Sequence, residues 1–188
     1  MNAAANLFYD RGVEAVSLDD VRSATGTSKS QLYHYFSDKS DLVHAVIECQ
    51  KERTLNFHRP VLSALSSWED LQDWRSMIVE FQAARRCRGG CPLGSLVVEL
   101  VEADNEARSH LARAFEEWEQ LLAQGFERMI QRGLLRDDTR AAELAVAVMA
   151  SLQGGLLLAE LEKRTRPLEV ALDSAIAHVR TFARESRF

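Results

Sequence analysis

The sequence predicts an all-α protein, and three observations predict it. Glycine and proline are sparse, at 9 and 3 of the 188 residues, and runs of β-branched residues are scarce. Ala, Leu, Glu and Arg recur at helical spacing from end to end. Short stretches that open on Ser or Asp and close on Gly punctuate the N-terminal quarter, as helix caps do. Together they imply about nine helices, with a compact unit over residues 1–50 and a larger helical body over 51–188.

Taken in order, residues 3–11, AAANLFYDR, place Leu7 and Phe8 on one helical side, and Gly12 supplies a stop. In SLDDVRSATG, Ser17 is a natural N-cap with Asp20 three residues on, as in a capping box. Leu18, Val21 and Ala24 form the apolar stripe of that helix. Gly26 ends it, since glycine takes the left-handed conformation without steric cost. Ser28 caps again, with Gln31 at the third helical position, and this helix runs through Leu32 to about Phe36. Two short capped helices separated by a tight glycine turn form a helix-turn-helix pattern. Ser37 and Asp38 open a longer helix with Leu42, Ala45, Val46 and Cys49 at its apolar steps, and Pro60 marks its expected outer limit. Further helices are expected over residues 61–86, 92–102, 105–132, 138–164 and 167–184, with breaks at Arg88–Pro92, Gly133 and Arg166–Pro167.

Composition restricts the partners. A formal net charge of −5 gives no bulk attraction for nucleic acid, so any DNA contact has to come from a local arrangement of donors. Residues 1–50 hold four Lys and Arg against seven Asp and Glu, a local charge of −3, so few phosphate contacts are expected per half-site and a dimer gains by doubling them. No secretory leader pattern opens the chain. The most apolar stretch, AAELAVAVMASLQGGLLLA over residues 141–159, contains Glu143, Gln153 and two adjacent glycines and reads as a buried helix, so no membrane partner is expected. Three cysteines without framework spacing fit a reduced cytoplasm.

GTSKSQLYHYFSDKSDLVHAVIE, with FYDRGVEAVSLDDVRSATG upstream, resembles the signature of TetR-type transcriptional regulators over about residues 4–48. RGGCPLGSLVVELVE, residues 88–102, resembles a segment found at this point in one subset of that family. The resemblance implies a ligand-responsive repressor that binds a pseudo-palindromic double-stranded DNA operator as a homodimer in the cytoplasm. It also implies a small-molecule or electrophile effector that alters the spacing of two reading heads. Two departures stand out. The family's first helix has several more residues upstream, and Thr27, Ser30 and Gln31 replace residues more often Val, Gly and Thr or Ala.

On a helix beginning at Ser28, Leu32 and Phe36 lie four apart and face the core with Leu18 and Val21, which turns Tyr33 and His34 toward a groove and leaves Tyr35 at the boundary. Aromatics with polar tips suit DNA, because the ring fills space against sugar or a thymine methyl while the tip donates to phosphate. Recognition helices present their first residues to base edges, so Thr27, Ser28, Ser30 and Gln31 are candidates there, with Lys29 reaching phosphate or a guanine edge. Lys39 and the helix start behind Ser17 are candidate phosphate contacts.

In the larger body, Trp68, Met77, Phe81, Phe115, Trp118, Leu122 and Phe126 could enclose an apolar effector cavity, although most such groups serve as core. Cys91 precedes Pro92 and is expected at a helix N-cap, where Arg85, Arg86 and Arg88 would favour thiolate; a small buried apolar group is the competing reading. Small residues recur over 138–184, and Leu144, Val148, Leu152, Gly155, Leu156, Ala175 and Val179 fill a helix seam. The resemblance implies that the last two helices pair with their copies across a dimer interface.

No cofactor is expected. Cys87 and Cys91 lie four apart, but no histidine or further cysteine falls within ligand spacing of them, so no metal site is expected. No nucleophile elbow, phosphate-cradling loop or metal-binding helix motif suggests an enzyme, and Glu99 and Glu102 read as a solvated edge. The rival class is a helical small-molecule-binding protein or enzyme without DNA binding.

Overall fold

The structure, a computed structural model, describes residues 1–184. Nine helices run in order among them: α1 (Asn2–Arg11), α2 (Leu18–Thr25), α3 (Lys29–Tyr35), α4 (Lys39–Leu62), α5 (Trp68–Ala84), α6 (Pro92–Leu100), α7 (Asn105–Gln131), α8 (Ala141–Glu162) and α9 (Arg166–Arg180). An isolated antiparallel bridge joins Leu135 to Ala183. The all-α architecture is as expected.

Two compact units divide the chain, and both are discontinuous. One comprises Met1–Thr54 with Pro92–Ala114, the other Leu55–Cys91 with Phe115–Phe188. The first unit thus takes α6 and the first part of α7 in addition to the N-terminal helices.

In the first unit, the expected caps set the boundaries. Ser17 Oγ accepts from Asp20 N–H and the Asp20 carboxylate accepts from Ser17 N–H; Gly26 then closes α2 at φ 66°. Ser28 and Gln31 repeat the reciprocal pair at α3, both bonds measuring 3.2 Å. Phe8, Val13, Val16, Val21, Leu32, Leu42, Val46 and Ile47 supply the core, joined by Leu93, Leu96, Leu100 and Leu111 from the returning segment. Glu99 of α6 accepts a 2.5 Å hydrogen bond from the Val13 N–H in the α1–α2 loop. That carboxylate is a brace across 86 residues of sequence, while Glu99 and Glu102 both remain exposed as expected. Ala24 is exposed and Phe36 only half-buried, so the core face of the helix pair is narrower than the spacing suggests.

Pro60 does not stop α4. It sits in the last turn, where the ring lacks one N–H without blocking the two residues that follow, and the helix ends at Leu62. The Arg128 guanidinium then caps that end, donating to Leu62 O at 2.7 Å and Leu65 O at 2.8 Å. As a result α5 begins at Trp68, later than expected, with Ser67 Oγ accepting from Asp70 N–H as its N-cap.

The second unit is held by α8 packed on α9, with α5 also against α9. Among the described helices, α8 alone is long and apolar enough to cross a membrane, but Leu144, Val148, Leu152 and Leu156 are buried inside the protein. Gly155 makes the close approach possible: a Cβ there would stand 3.0 Å from both the Ala171 Cβ and the Leu168 Cα. Because the obstruction is partly backbone, Gly155→Val is expected to destabilise the fold by about 1–3 kcal/mol. A lower urea midpoint at unchanged m-value would show it.

Candidate nucleic-acid interface

The glycine turn at Gly26 delivers α3 with Leu32 buried beneath it and the opposite face open. Lys29, Ser30, Tyr33 and His34 lie at one- and four-residue steps on that face, and all are exposed. The Lys29 ammonium stands 5.7 Å from the Tyr33 ring centroid, a cation–π contact that holds the cation on the outer face. His34 meets Tyr35 edge to face at 5.3 Å. Tyr35 is 74% exposed, more than Tyr33 at 45%, so it stands on the open surface and not at the boundary.

The capping groups are less free than their residue types suggest. Ser17 donates its hydroxyl to Asp20 and accepts from the Asp20 N–H, so both of its hydrogen-bonding directions are committed. The Asp20 carboxylate, fed by Ser17 and by Arg11, is held well below the usual carboxylate range and stays ionised. Gln31 spends its carbonyl oxygen on Ser28 N–H, which leaves its amide nitrogen as the available donor. Thr27 is half-buried and its hydroxyl pairs with that of Thr25. Lys39 donates to Glu14 O at 2.8 Å, fixing the start of α4 to the α1–α2 loop. The local charge deficit is also partly internal: Asp38 accepts from Asp41 N–H, Asp41 accepts from Ser37 N–H, and Asp19 pairs with Arg22.

The residues expected to line an effector cavity separate into two groups. Trp118, Leu122 and Phe126 are fully buried, and the Trp118 indole N–H has no hydrogen-bond partner among the described residues. His58 lies against Trp118 with centroids 4.4 Å apart and accepts a 3.1 Å hydrogen bond from Trp74 Nε1. Its burial pushes the imidazole pKa down to about 3, so it is neutral at physiological pH. Phe115 is half-buried, 6.2 Å from the Trp118 ring. Trp68 lies under Arg180, Met77 is half-buried, and Phe81 is exposed between Phe57 and Arg85.

Cys91 is buried directly before α6, but the arginines gather elsewhere. Arg86 and Arg88, with Lys163 and Arg164, line a cavity of about 560 Å³ that contains Cys87. Burial raises the pKa of the Cys87 thiol, with Lys163 opposing the shift. Local spacing gave no signal for this cavity, because its two sides are distant in sequence. The same holds for His58.

The residues expected at a dimer interface lie inside one chain. Leu144, Val148, Leu152, Gly155, Leu156, Ala175 and Val179 are all buried, on two helices that pack against each other with Gly155 at their contact. The physical reason is that α8 is apolar nearly all round, so composition does not say which side faces its own chain. The open side carries Val146, Leu157, Leu158 and Leu161 on α8 and Val170 on α9, all exposed.

A capped helix pair presenting a polar, aromatic and cationic face, on an all-helical body, defines a helix-turn-helix regulator of transcription. Comparison with known proteins agrees. Residues 1–46 match the family model for bacterial regulatory proteins of the tetR family, and residues 67–174 that for the C-terminal domain of LmrA/YxaF-like transcriptional regulators. An uncharacterized HTH-type transcriptional regulator in the lacX 3' region of Lactococcus lactis is 30% identical over 178 residues, 92% of this chain and 87% of the relative. The transcriptional regulator AcuR of Cereibacter sphaeroides is 28% identical over 177 residues, 93% of this chain and 78% of the relative. A crystal structure of a regulatory protein TetR from Rhodobacter sphaeroides superposes with a TM-score of 0.82 at 27% identity, covering 94% of this chain and 95% of that one. The chain belongs to the TetR family: it is a DNA-binding transcriptional regulator and not an enzyme.

Proposed function

We propose that this regulator is a cytoplasmic repressor that binds a pseudo-palindromic operator as a homodimer and is released by a small-molecule effector. The observation that carries the reading is the open face of α3, where Lys29, Ser30, Tyr33 and His34 stand exposed above a buried Leu32. Lys29 and Tyr33 supply donors to phosphate; Ser30, His34 and the amide nitrogen of Gln31 are left to meet base edges. Ser28 retains its hydroxyl hydrogen for phosphate while its oxygen serves the cap. Thr27, Lys39 and Ser17 act from behind this face, setting the turn and the position of α3.

Selection of bound duplexes from a random pool tests the reading. A two-fold symmetric consensus, with half-sites about one helical turn apart, is the expected result; absence of enrichment would sink it. Lys29→Ala is expected to weaken binding across sequences and to reduce the salt slope by about 1, and Tyr33→Ala to weaken it by about 1–3 kcal/mol. Fluorescence anisotropy at several salt concentrations distinguishes the two.

Support for dimerisation comes from the exposed stripe Val146, Leu157 and Leu161, with Ala150 and Gly154 between them. A Cβ on Gly154 would meet nothing within 4 Å, so a partner helix can approach closely there. Support for a small-molecule effector comes from the partnerless Trp118 N–H, which an acceptor on an otherwise apolar ligand would satisfy. The buried thiols of Cys87 and Cys91 favour such a ligand over an electrophile.

A further inference from the structure

We propose that His44, Glu106 and His110, with Asp104 beside them, form a binding site for a divalent transition-metal cation of the zinc class. All four residues belong to the first unit. His44 comes from α4, whereas Glu106 and His110 lie one turn apart on α7, so the sequence gives no ligand spacing to read. One ligand atom from each of His44, Glu106 and His110 lies within 4.8 Å of the others.

The arrangement is not closed by its own hydrogen bonds. His44 Nε2 is buried with no hydrogen-bond partner among the described residues. Its nearest carboxylate oxygen, Asp104 Oδ2, is 3.8 Å away, and His44 Nδ1 is 3.9 Å from Glu106 Oε1. Both exceed hydrogen-bond reach. Asp104 Oδ1 is already fixed, accepting from the N–H groups of Glu106 and Ala107 at 2.9 Å, so that the second oxygen is presented to His44 on a rigid helix start. The imidazoles of His44 and His110 stack at 5.0 Å with planes 8° apart.

Two imidazole nitrogens and carboxylate oxygen favour zinc, cobalt or nickel over magnesium and calcium, which take all-oxygen shells. Zinc bonds of about 2.0–2.1 Å place ligand atoms roughly 3.3 Å apart. Closing the present arrangement needs the two rings to tilt out of parallel and the exposed Glu106 side chain to turn inward, both side-chain rotations. A bound cation would join α4, the helix that follows the recognition helix, to the first two turns of α7.

Tag-free full-length protein stripped with chelator is titrated with cobalt(II), then with zinc. Expected are ligand-field bands of tetrahedral cobalt saturating at one equivalent per chain, their loss on adding zinc but not magnesium, and a thermal midpoint that rises with zinc. His44→Gln and His110→Gln should each weaken cobalt binding at least about tenfold while keeping cooperative unfolding. Glu106→Gln, at a side chain 70% exposed, gives a variant that folding does not confound and should also weaken binding. No bands with the wild type, or the same titration in all three variants, would overturn the site.

Discussion

Leu157→Glu combined with Leu161→Glu is expected to give a folded monomer whose operator affinity is about 10²–10⁴-fold below that of the wild type. The two side chains are 67% and 76% exposed in the single chain, so the substitutions leave its core intact. Across a two-fold interface each glutamate would face an apolar stripe and, through symmetry, a second copy of itself. Desolvating like charges opposes association while the reading head remains folded. In the proposed dimer the affinity would fall because a head carrying a local −3 charge makes few phosphate contacts alone and would depend on being tethered to its twin. Light scattering at micromolar protein and gel shift on the selected operator test both halves. If the double variant stays dimeric, the interface lies elsewhere; if it is monomeric yet binds DNA undiminished, tethering is unnecessary.

Acid is expected to destabilise the second unit through His58. The folded pKa is about 3, while the unfolded value is near the ordinary 6.5, so the unfolded chain binds the extra proton first. Stability from the neutral, buried ring is fully present above the unfolded value and is lost as pH falls below 6.5 toward 3. The full loss is on the order of a few kcal/mol. Carboxylates with lowered pKa values, Asp20 and Asp70, contribute in the same direction only below the unfolded carboxylate range. Urea unfolding between neutral pH and about pH 5 therefore reads the histidine, opposed by Glu119, whose carboxyl pKa is raised by burial and by the neighbouring Glu116. His58→Gln keeps an acceptor for Trp74 Nε1 without a proton to gain, and its stability should be nearly flat across that interval. An unchanged slope in the variant would assign the acid sensitivity to other groups.

Helix count and the recognition head were legible because they rest on local chemistry. Serine, a capping partner three residues on and a closing glycine are contiguous, and Ser17–Asp20 and Ser28–Gln31 form the reciprocal bonds their spacing predicts. What the sequence could not show was which side of a uniformly apolar helix is inside. Leu152 and Leu157 are chemically alike, yet one is sealed and the other exposed. Pro60 misled for a different reason: proline removes one hydrogen bond to the turn before it, and the two residues after it stay free to complete the helix. Long-range pairings were silent altogether. Glu99 finds the Val13 N–H and His44 finds His110 only once the chain has returned α6 and the start of α7 to the N-terminal unit.

Under the proposed reading the Gln31 amide has two employers. Its oxygen begins the helix that its nitrogen would read with, so exchanging the residue to favour another base would also alter how well that helix starts. Glutamate would cap as firmly but repel the phosphates; alanine would leave Ser28 N–H to water and loosen the first turn. Drift toward a new target sequence at this position is thus coupled to the order of the reading element itself, and second-site changes that restore the cap should accompany it.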